Sequence, residues 1–232
     1  MSSKILYEKS LTNMSHVFED REYAGRMLAK KLNRFKGKEP IILAIPSGGL
    51  PVGYAVAREL NIPMDVIIPR KIQIPYNPEA GFGAVAPDGS IILNESLVRE
   101  LRLTKEEIKI LAKQVLEEIE RRNRKFRGDR PSPNLIGKTV ILVDDGLASG
   151  YTMLAAIKSV KKQKPKRTLV AVPTAPLDSA RLVASQVNQL ICLNIRRGPF
   201  FAVADAYQKW YDLDDGEVIE YIRRARKAGL ST

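Results

Sequence analysis

Residues 139–152 read TVILVDDGLASGYT, and this segment decides the fold class. A run of apolar and β-branched residues is followed by two adjacent acids, Asp144 and Asp145, and then by a loop of small residues that opens a helical pattern. A short apolar run without polar alternation is typical of a strand that is buried on both faces. The segment therefore predicts a buried strand, a ligand-binding loop and a helix, in that order.

The loop after the two acids has the chemistry of a phosphate site. Backbone N–H groups at the N-terminus of a helix converge on an anion, and the helix dipole favours negative charge there. Glycines let the backbone come close to the ligand, and Ser149 and Thr152 add hydroxyl donors. The carboxylates of Asp144 and Asp145 would repel a phosphate, so we expect them to face a ribose diol or a cation. A sugar phosphate satisfies both requirements; the alternative is that the two acids only cap the following turn.

Similar apolar runs recur along the chain and alternate with helical patterns. The predicted strands are residues 41–45, 64–68, 140–143, 168–172 and 189–195. The predicted helices are residues 20–34, 51–60, 105–125, 152–163 and 176–186, and the third of these follows a capping box formed by Thr104 and Glu107. This alternation predicts an α/β fold with a central parallel sheet flanked by helices. No linker divides the chain, so we expect one domain over residues 1–232.

Residues 72–93 are rich in Gly and Pro, with Pro87-Asp88-Gly89 at a turn, and they predict a mobile loop that leads into a small hairpin. Residues 81–86 match the G-x-G-x-x-A pattern of dinucleotide-binding turns, but neither a strand before them nor a helix after them is expected. Residues 137–139 resemble the end of a P-loop, but Ser132 stands where that motif requires its first glycine. Neither segment is therefore assigned as a nucleotide site.

Composition and charge exclude several classes of protein. The 232 residues carry 38 Lys and Arg against 26 Asp and Glu, a formal net charge of +12, with one cysteine and one histidine. Cys192 cannot form an intramolecular disulfide, and His16 has no partner for a His/Cys zinc site. No apolar stretch approaches the roughly 18 residues of a membrane span. No export signal is visible, so we expect a cytoplasmic protein. The charge by itself suits nucleic acid, a membrane surface or a phosphorylated small molecule.

Residues 140–152, VILVDDGLASGYT, resemble the motif with which type I phosphoribosyltransferases bind phosphoribosyl diphosphate (PRPP). The resemblance extends to other segments. Residues 45–53, IPSGGLPVG, resemble the pyrophosphate loop of that family, and Arg70-Lys71 resemble the basic pair before its flexible catalytic loop, here residues 72–90. Residues 18–32 are similar to the opening helix of a subgroup of uncharacterised bacterial and archaeal members. The likeness covers most of the chain.

The resemblance implies a type I phosphoribosyltransferase fold and an enzyme that uses PRPP and Mg²⁺ and releases pyrophosphate. It implies that Asp144 and Asp145 hold the ribose hydroxyls and the metal. It assigns the 5-phosphate to the residues that follow, namely Gly146, Leu147, Ala148, Ser149, Gly150, Tyr151 and Thr152. It assigns the pyrophosphate to Ser47, Gly48, Gly49, Arg70 and Lys71.

The acceptor is expected to be a nitrogenous base of the purine or pyrimidine type. Members that act on 6-oxopurines usually carry a third acid where this chain has Ala148, so an adenine-like base is favoured. Glu79 in the loop is then the candidate for proton transfer. We expect residues 196–232 to form a hood or a C-terminal tail, and the acceptor to contact aromatic side chains at Tyr76, Phe82, Phe200 and Phe201. The alternative is that the tail packs on the core or across a homodimer, the assembly that the resemblance favours.

Two other functions stay open. Basic residues cluster within 121–130 and 158–167, a pattern that also fits a nucleic-acid-binding regulator that senses PRPP or a nucleotide on the same fold. No recognised nucleic-acid module is present, and basic helix ends are usually solvated. The favoured partners are therefore PRPP and a small-molecule acceptor, as in nucleotide salvage, with no nucleic acid or membrane. Hydrolytic chemistry with water as the acceptor would use the same pocket.

Overall fold

The structure, a computed structural model, describes residues 4–75 and 77–232. Its strands are β1 (Ile5–Leu6), β2 (Pro40–Ala44), β3 (Met64–Val66), β4 (Arg70–Ile74), β5 (Asn77–Val85), β6 (Ile91–Leu93), β7 (Thr139–Val143), β8 (Arg167–Pro176) and β9 (Gln189–Arg196). The larger sheet has the order β1-β9-β8-β7-β2-β3, and all its neighbouring strands are parallel. The smaller sheet, β4-β5-β6, is antiparallel.

Helices cover both faces of the larger sheet. They are α1 (Arg21–Leu32), α2 (Gly49–Leu60), α3 (Glu95–Glu100), α4 (Lys105–Arg127), α5 (Tyr151–Lys162), α6 (Leu177–Ser185) and α7 (Asp215–Lys227). Successive strand residues alternate between two apolar clusters, because side chains of a strand point to opposite faces. Ile42 and Ile141 pack with α1, α2, α4 and α7, whereas Ile41 and Val140 pack with α5 and α6. The predicted central parallel sheet flanked by helices is confirmed.

The predicted strands and helices of the larger sheet are present, with bounds that differ by a few residues. The capping box of α4 also forms, because the Thr104 hydroxyl accepts from the Glu107 N–H and Glu107 accepts from the Thr104 N–H at 2.8 Å. Among the described strands and α-helices, β1, β4, α3 and α7 were not expected.

Residues 72–93 were expected to form a loop followed by a small hairpin. The hairpin is present as β5 and β6, but the expected loop is wrong, because β4 and the first part of β5 pair there in the same sheet. Glycine is usually depleted in strands, but here its missing side chain lets neighbouring strands approach. A Cβ on Gly83 would lie 2.5 Å from the Ile92 carbonyl oxygen. The predicted turn is confirmed, because the Gly89 N–H donates to the Ala86 carbonyl at 2.9 Å. The mobility of residues 72–90 stays a prediction.

The segment before α1 and the segment after β9 lie side by side. Phe18 forms a parallel bridge with Tyr207, and the His16 N–H donates to the Asp205 carbonyl at 2.7 Å. α7 then packs against α2 and α4. Within the described residues, no helix combines the length and apolar character that spanning a membrane requires.

Candidate functional site

A cavity of about 290 Å³ lies at the carboxyl ends of β2 and β7, beside the start of β4. The predicted site residues that line it are Arg70, Lys71, Asp144, Gly146, Leu147, Ala148, Ser149, Gly150 and Thr152. These residues come from separate segments, and the parallel register of β2 and β7 brings their carboxyl ends to one edge. An acid, two cations and a loop of backbone donors therefore share one cavity.

The loop after Asp145 leads into α5 in the manner expected of an anion site. Gly150 has φ +86°, a left-handed conformation that favours glycine, and it immediately precedes the helix. No side chain in the described part of the chain caps this end of α5. A residue of α6 stabilises this loop, because the Ser179 hydroxyl donates to the Ala148 carbonyl at 2.6 Å. The N-terminus of α5 thus meets the cavity with the polarity that an anion requires.

Asp144 and Asp145 differ in their surroundings. The Asp145 Oδ2 atom accepts from Arg21 Nε at 2.9 Å, whereas Asp144 Oδ1 accepts from the Asp145 N–H at 2.9 Å. Burial raises the pKa of Asp144 well above its usual value, and the neighbouring charge of Asp145 adds to the rise. Burial also raises the pKa of Asp145, against the opposing effect of the Arg21 guanidinium. One acid of the pair is therefore compensated by a cation inside the protein.

The segment after β2 packs directly against the two acids. A Cβ on Gly48 would lie 1.8 Å from Asp145 Oδ2, and one on Gly49 would lie 2.8 Å from the Val143 carbonyl oxygen. Only glycine fits at such a distance. The Ser47 hydroxyl, next to these glycines, accepts from Arg122 Nη2 of α4 at 3.2 Å. The two sequence motifs, separate in the chain, thus form one surface.

The basic pair after β3 also reaches this surface. Arg70 forms an ion pair with Glu118 of α4 at 2.7 Å while it lines the cavity beside Lys71. Arg122 lies one helical turn further along α4, and burial together with the charge of Arg70 lowers the pKa of its guanidinium. Cations from β4 and α4 are therefore gathered at the edge where the glycine segment begins.

Comparison with known proteins identifies the family. The phosphoribosyl transferase domain family matches residues 19–196. This chain belongs to that family. Two Mycobacterium tuberculosis proteins, from strains CDC 1551 / Oshkosh and H37Rv and each named "Putative phosphoribosyl transferase", are 35% identical to it over 211 residues, 91% of this chain and 47% of theirs. The chain thus spans about half the length of these curated relatives.

A crystal structure of a protein from Thermus thermophilus has a TM-score of 0.74 with this phosphoribosyl transferase chain. The two are 31% identical, and the match covers 89% of this chain and 98% of that one. The family expected from the motifs is confirmed, and so is its fold. The chain is a member of a family of transferase enzymes.

Arg21 and Tyr207 contact the acid pair of the candidate site and were not predicted from the sequence. Arg21, at the start of α1, pairs with Asp145, and the Tyr207 hydroxyl donates to the Asp145 carbonyl at 2.6 Å. A signal for Arg21 was present, because a cation at the N-terminus of a helix opposes the helix dipole. Tyr207 lay in the aromatic tail, where base stacking was expected instead. Its ring is buried, so this tail residue packs on the core.

The expected acceptor contacts need a correction. Phe82 is fully buried in the apolar core, so its side chain cannot reach an acceptor without unpacking β5. Phe200 is 90% exposed, and neither it nor Phe201 is among the residues that line the cavity. Tyr76 and the side chain of Glu79 lie outside the described residues. Val203 is the residue of the C-terminal tail that lines the cavity.

Some basic residues of the two clusters, within 121–130 and 158–167, form ion pairs with acids of the same chain. In the first, Arg122 and Lys125 pair with Asp215, and Arg127 pairs with buried Asp65. In the second, Lys162 pairs with Asp88 at 2.7 Å. These contacts neutralise part of the charge that suggested a nucleic-acid partner, so nothing in this arrangement favours that alternative.

A metal ion would find few protein ligands here. Within the part of the chain that the structure describes, no group of three or more His, Cys, Asp and Glu side chains could hold a metal ion. The adjacent carboxylates of Asp144 and Asp145 are nevertheless compatible with Mg²⁺, which is commonly bound by one or two carboxylates together with substrate phosphates. The donor set fits an ion that arrives with a phosphorylated substrate.

Proposed function

We propose that this chain is a PRPP-dependent phosphoribosyltransferase that transfers phosphoribose to a nitrogenous acceptor and releases pyrophosphate. One observation carries the proposal: a single cavity is lined by Asp144, by Arg70 and Lys71, and by the loop that opens α5. PRPP carries a diol, a diphosphate and a 5-phosphate, and each has a matching group in this cavity. Family membership supports the same reaction class.

Each part of PRPP has a proposed binding segment. The loop 146–152 would hold the 5-phosphate through backbone N–H groups and the hydroxyls of Ser149 and Thr152. The acids at 144 and 145 would face the ribose hydroxyls. Ser47, Gly48 and Gly49 would approach the diphosphate with their backbone N–H groups; Gly48 and Gly49 pack beside the acids, and the three residues lie next to the cavity lining without being part of it. The phosphate would then bind hydrogen-bond donors of the loop and the diol would bind carboxylate acceptors, and this difference fixes the orientation of the sugar.

The cations serve the leaving group. When pyrophosphate departs from C1, negative charge builds on it, and preorganised cations stabilise that charge. Arg70 and Lys71 line the cavity on this side, and Glu118 orients Arg70. Mg²⁺ bound with PRPP at Asp144 and Asp145 would neutralise further charge on the diphosphate. Closure of the part of residues 72–90 that lies outside the core, where β4 leads into β5, would exclude water from the electron-deficient ribose.

The acceptor proposed is an adenine-like base in preference to a 6-oxopurine. Ala148 lines the cavity and offers no group for proton transfer, and Glu79 remains the candidate for that role. The apolar side chain of Val203 forms the tail's part of the wall. We also propose that the protein forms a homodimer and acts in nucleotide salvage.

The test is to incubate the protein with PRPP, Mg²⁺ and a panel of purines, pyrimidines and amines while pyrophosphate release is measured. We expect release with at least one base and its loss in Asp144→Asn. Asp178→Asn is the matched control, because Asp178 is an exposed acid on α6. Absence of release across the whole panel would contradict the proposal, and release without any base would indicate water as the acceptor.

A further inference from the structure

Arg21 occupies an unfavourable position for a cation. It is the first residue of α1, where the helix dipole is positive, and its side chain is 7% exposed. Burial of a guanidinium is costly unless its donors are paired. The contacts of Arg21 must therefore compensate for both its position and its burial.

Those contacts come from two distant parts of the chain. Arg21 Nε donates to Asp145 Oδ2 at 2.9 Å, and its Nη1 donates to the Tyr211 carbonyl at 2.8 Å. The guanidinium lies over the Trp210 ring, 3.9 Å from its centroid. Carboxylate, carbonyl and ring together fix the planar group in one orientation.

Asp145 is held on its other sides as well. Its backbone carbonyl accepts from the Tyr207 hydroxyl at 2.6 Å, and Gly48 packs against its carboxylate. Among the contacts described, Asp144 receives no hydrogen bond from α1 or the tail, although the charge of Arg21 also acts on it, and it is the acid of the pair that lines the cavity. The two adjacent carboxylates are therefore not equivalent.

We propose that Arg21 is a positioning residue that fixes the Asp145 carboxylate, so that the acid pair presents a single arrangement to the ribose diol. This inference rests on the proposed function. Two free carboxylates side by side would repel each other and adopt more than one arrangement around the sugar. A cation that fixes one of them leaves a single arrangement for the other. Trp210 keeps the guanidinium in place, so the C-terminal tail controls the diol site from outside it.

The test compares two sugars that differ only at the diol, ribose 5-phosphate and 2-deoxyribose 5-phosphate. Their Kd values are measured by calorimetry, and the ratio isolates the diol contact because both sugars carry the same phosphate. A hydrogen bond from the 2-hydroxyl to a carboxylate predicts a preference of about tenfold for ribose in the wild type. In Arg21→Met we expect the ratio to fall to about one to two, with 2-deoxyribose 5-phosphate binding little changed.

Three further variants keep the test decisive if Arg21→Met does not fold. Arg21→Lys retains the charge but loses the planar fork, and Trp210→Leu removes the ring from a partly exposed position, so we expect intermediate ratios from both. Arg26→Met removes an exposed cation from the same helix and should keep the wild-type ratio. Wild-type ratios in folded Arg21→Lys and Trp210→Leu would overturn the positioning role. Failure of the wild type to bind either sugar would instead overturn the proposed function, and this inference with it.

Discussion

Gly48 is the residue at which the segment after β2 touches the acid pair, and it gives the sharpest prediction at the scale of one residue. In Gly48→Ala, the new Cβ would need to occupy space 1.8 Å from Asp145 Oδ2. Either the carboxylate or the backbone of the segment must move. We expect PRPP affinity to fall by about tenfold or more, because a displaced segment would lose hydrogen bonds to the charged diphosphate, each worth about 1.5–3 kcal/mol. Titration calorimetry measures the change.

Gly216→Ala is the matched control for this substitution. Gly216 lies in the first turn of α7, and a Cβ there would meet only the side chain of Asp214, at 3.1 Å. The control should retain wild-type affinity. Unchanged PRPP affinity in a folded Gly48→Ala protein would show that the close approach of the two segments does not matter for binding.

The contrast between Asp144 and Arg21 shows what the sequence could reveal at this scale. Asp144 was predictable because strand, acids and loop are neighbours in the chain. Arg21 pairs with a residue 124 positions away. Its place at the start of a helical pattern marks it as unusual, but the local sequence does not show which acid it pairs with. The prediction that Phe82 contacts the acceptor was wrong because its local sequence was misleading. A position in a Gly-rich segment suggested an exposed ring, but β5 turns that ring into the core.

At the scale of elements, α4 connects the candidate site to the C-terminal helix. Arg122 donates to Ser47 and pairs with Asp215 of α7 at 3.2 Å. In Arg122→Met, the segment 47–49 loses this support, and the place proposed for the diphosphate loses a nearby cation. We expect pyrophosphate to bind about tenfold more weakly and ribose 5-phosphate to bind almost normally, since a lost hydrogen bond to a charged group is worth about that much.

Arg124→Met is the control, because Arg124 lies on the same helix and is exposed. Calorimetric titrations of both ligands into both variants give the comparison. Equal weakening for the two ligands in Arg122→Met would point to a general disturbance of the fold, and no weakening for either would remove α4 from the site.

The unexpected strands and helices fall into three kinds. β1 has two residues and α3 has six, too short to produce a clear periodic pattern. For α7 the signal was present, because Asp214 and Glu217 form a capping box and Val218, Ile222 and Ala225 share its buried face. The strand β4 pairs with a glycine-containing part of β5, where Gly81 lets the two strands approach, and such a glycine-rich partner does not look like a strand in the sequence.

At the scale of the whole molecule, apolar clusters on both faces of one sheet make the interior continuous across β2, β7, β8 and β9. Cys192 of β9 lies inside the cluster under α5 and α6 and is fully buried. Burial raises the pKa of its thiol, which keeps it protonated at neutral pH. The thiolate is the reactive form, so both exposure and ionisation are lacking in the folded chain.

The rate at which Cys192 is alkylated therefore measures how often β9 becomes exposed to solvent. We expect negligible alkylation by iodoacetamide in the native protein at pH 8, and complete alkylation in denaturant, where the thiol is exposed and its pKa returns to about 8.5. Mass spectrometry counts the modified protein, and a time course at intermediate denaturant gives the population of the open state. Stoichiometric alkylation of the native protein within minutes would mean that β9 opens without global unfolding. The buried strands next to the acid pair would then be less rigid than a preorganised site requires.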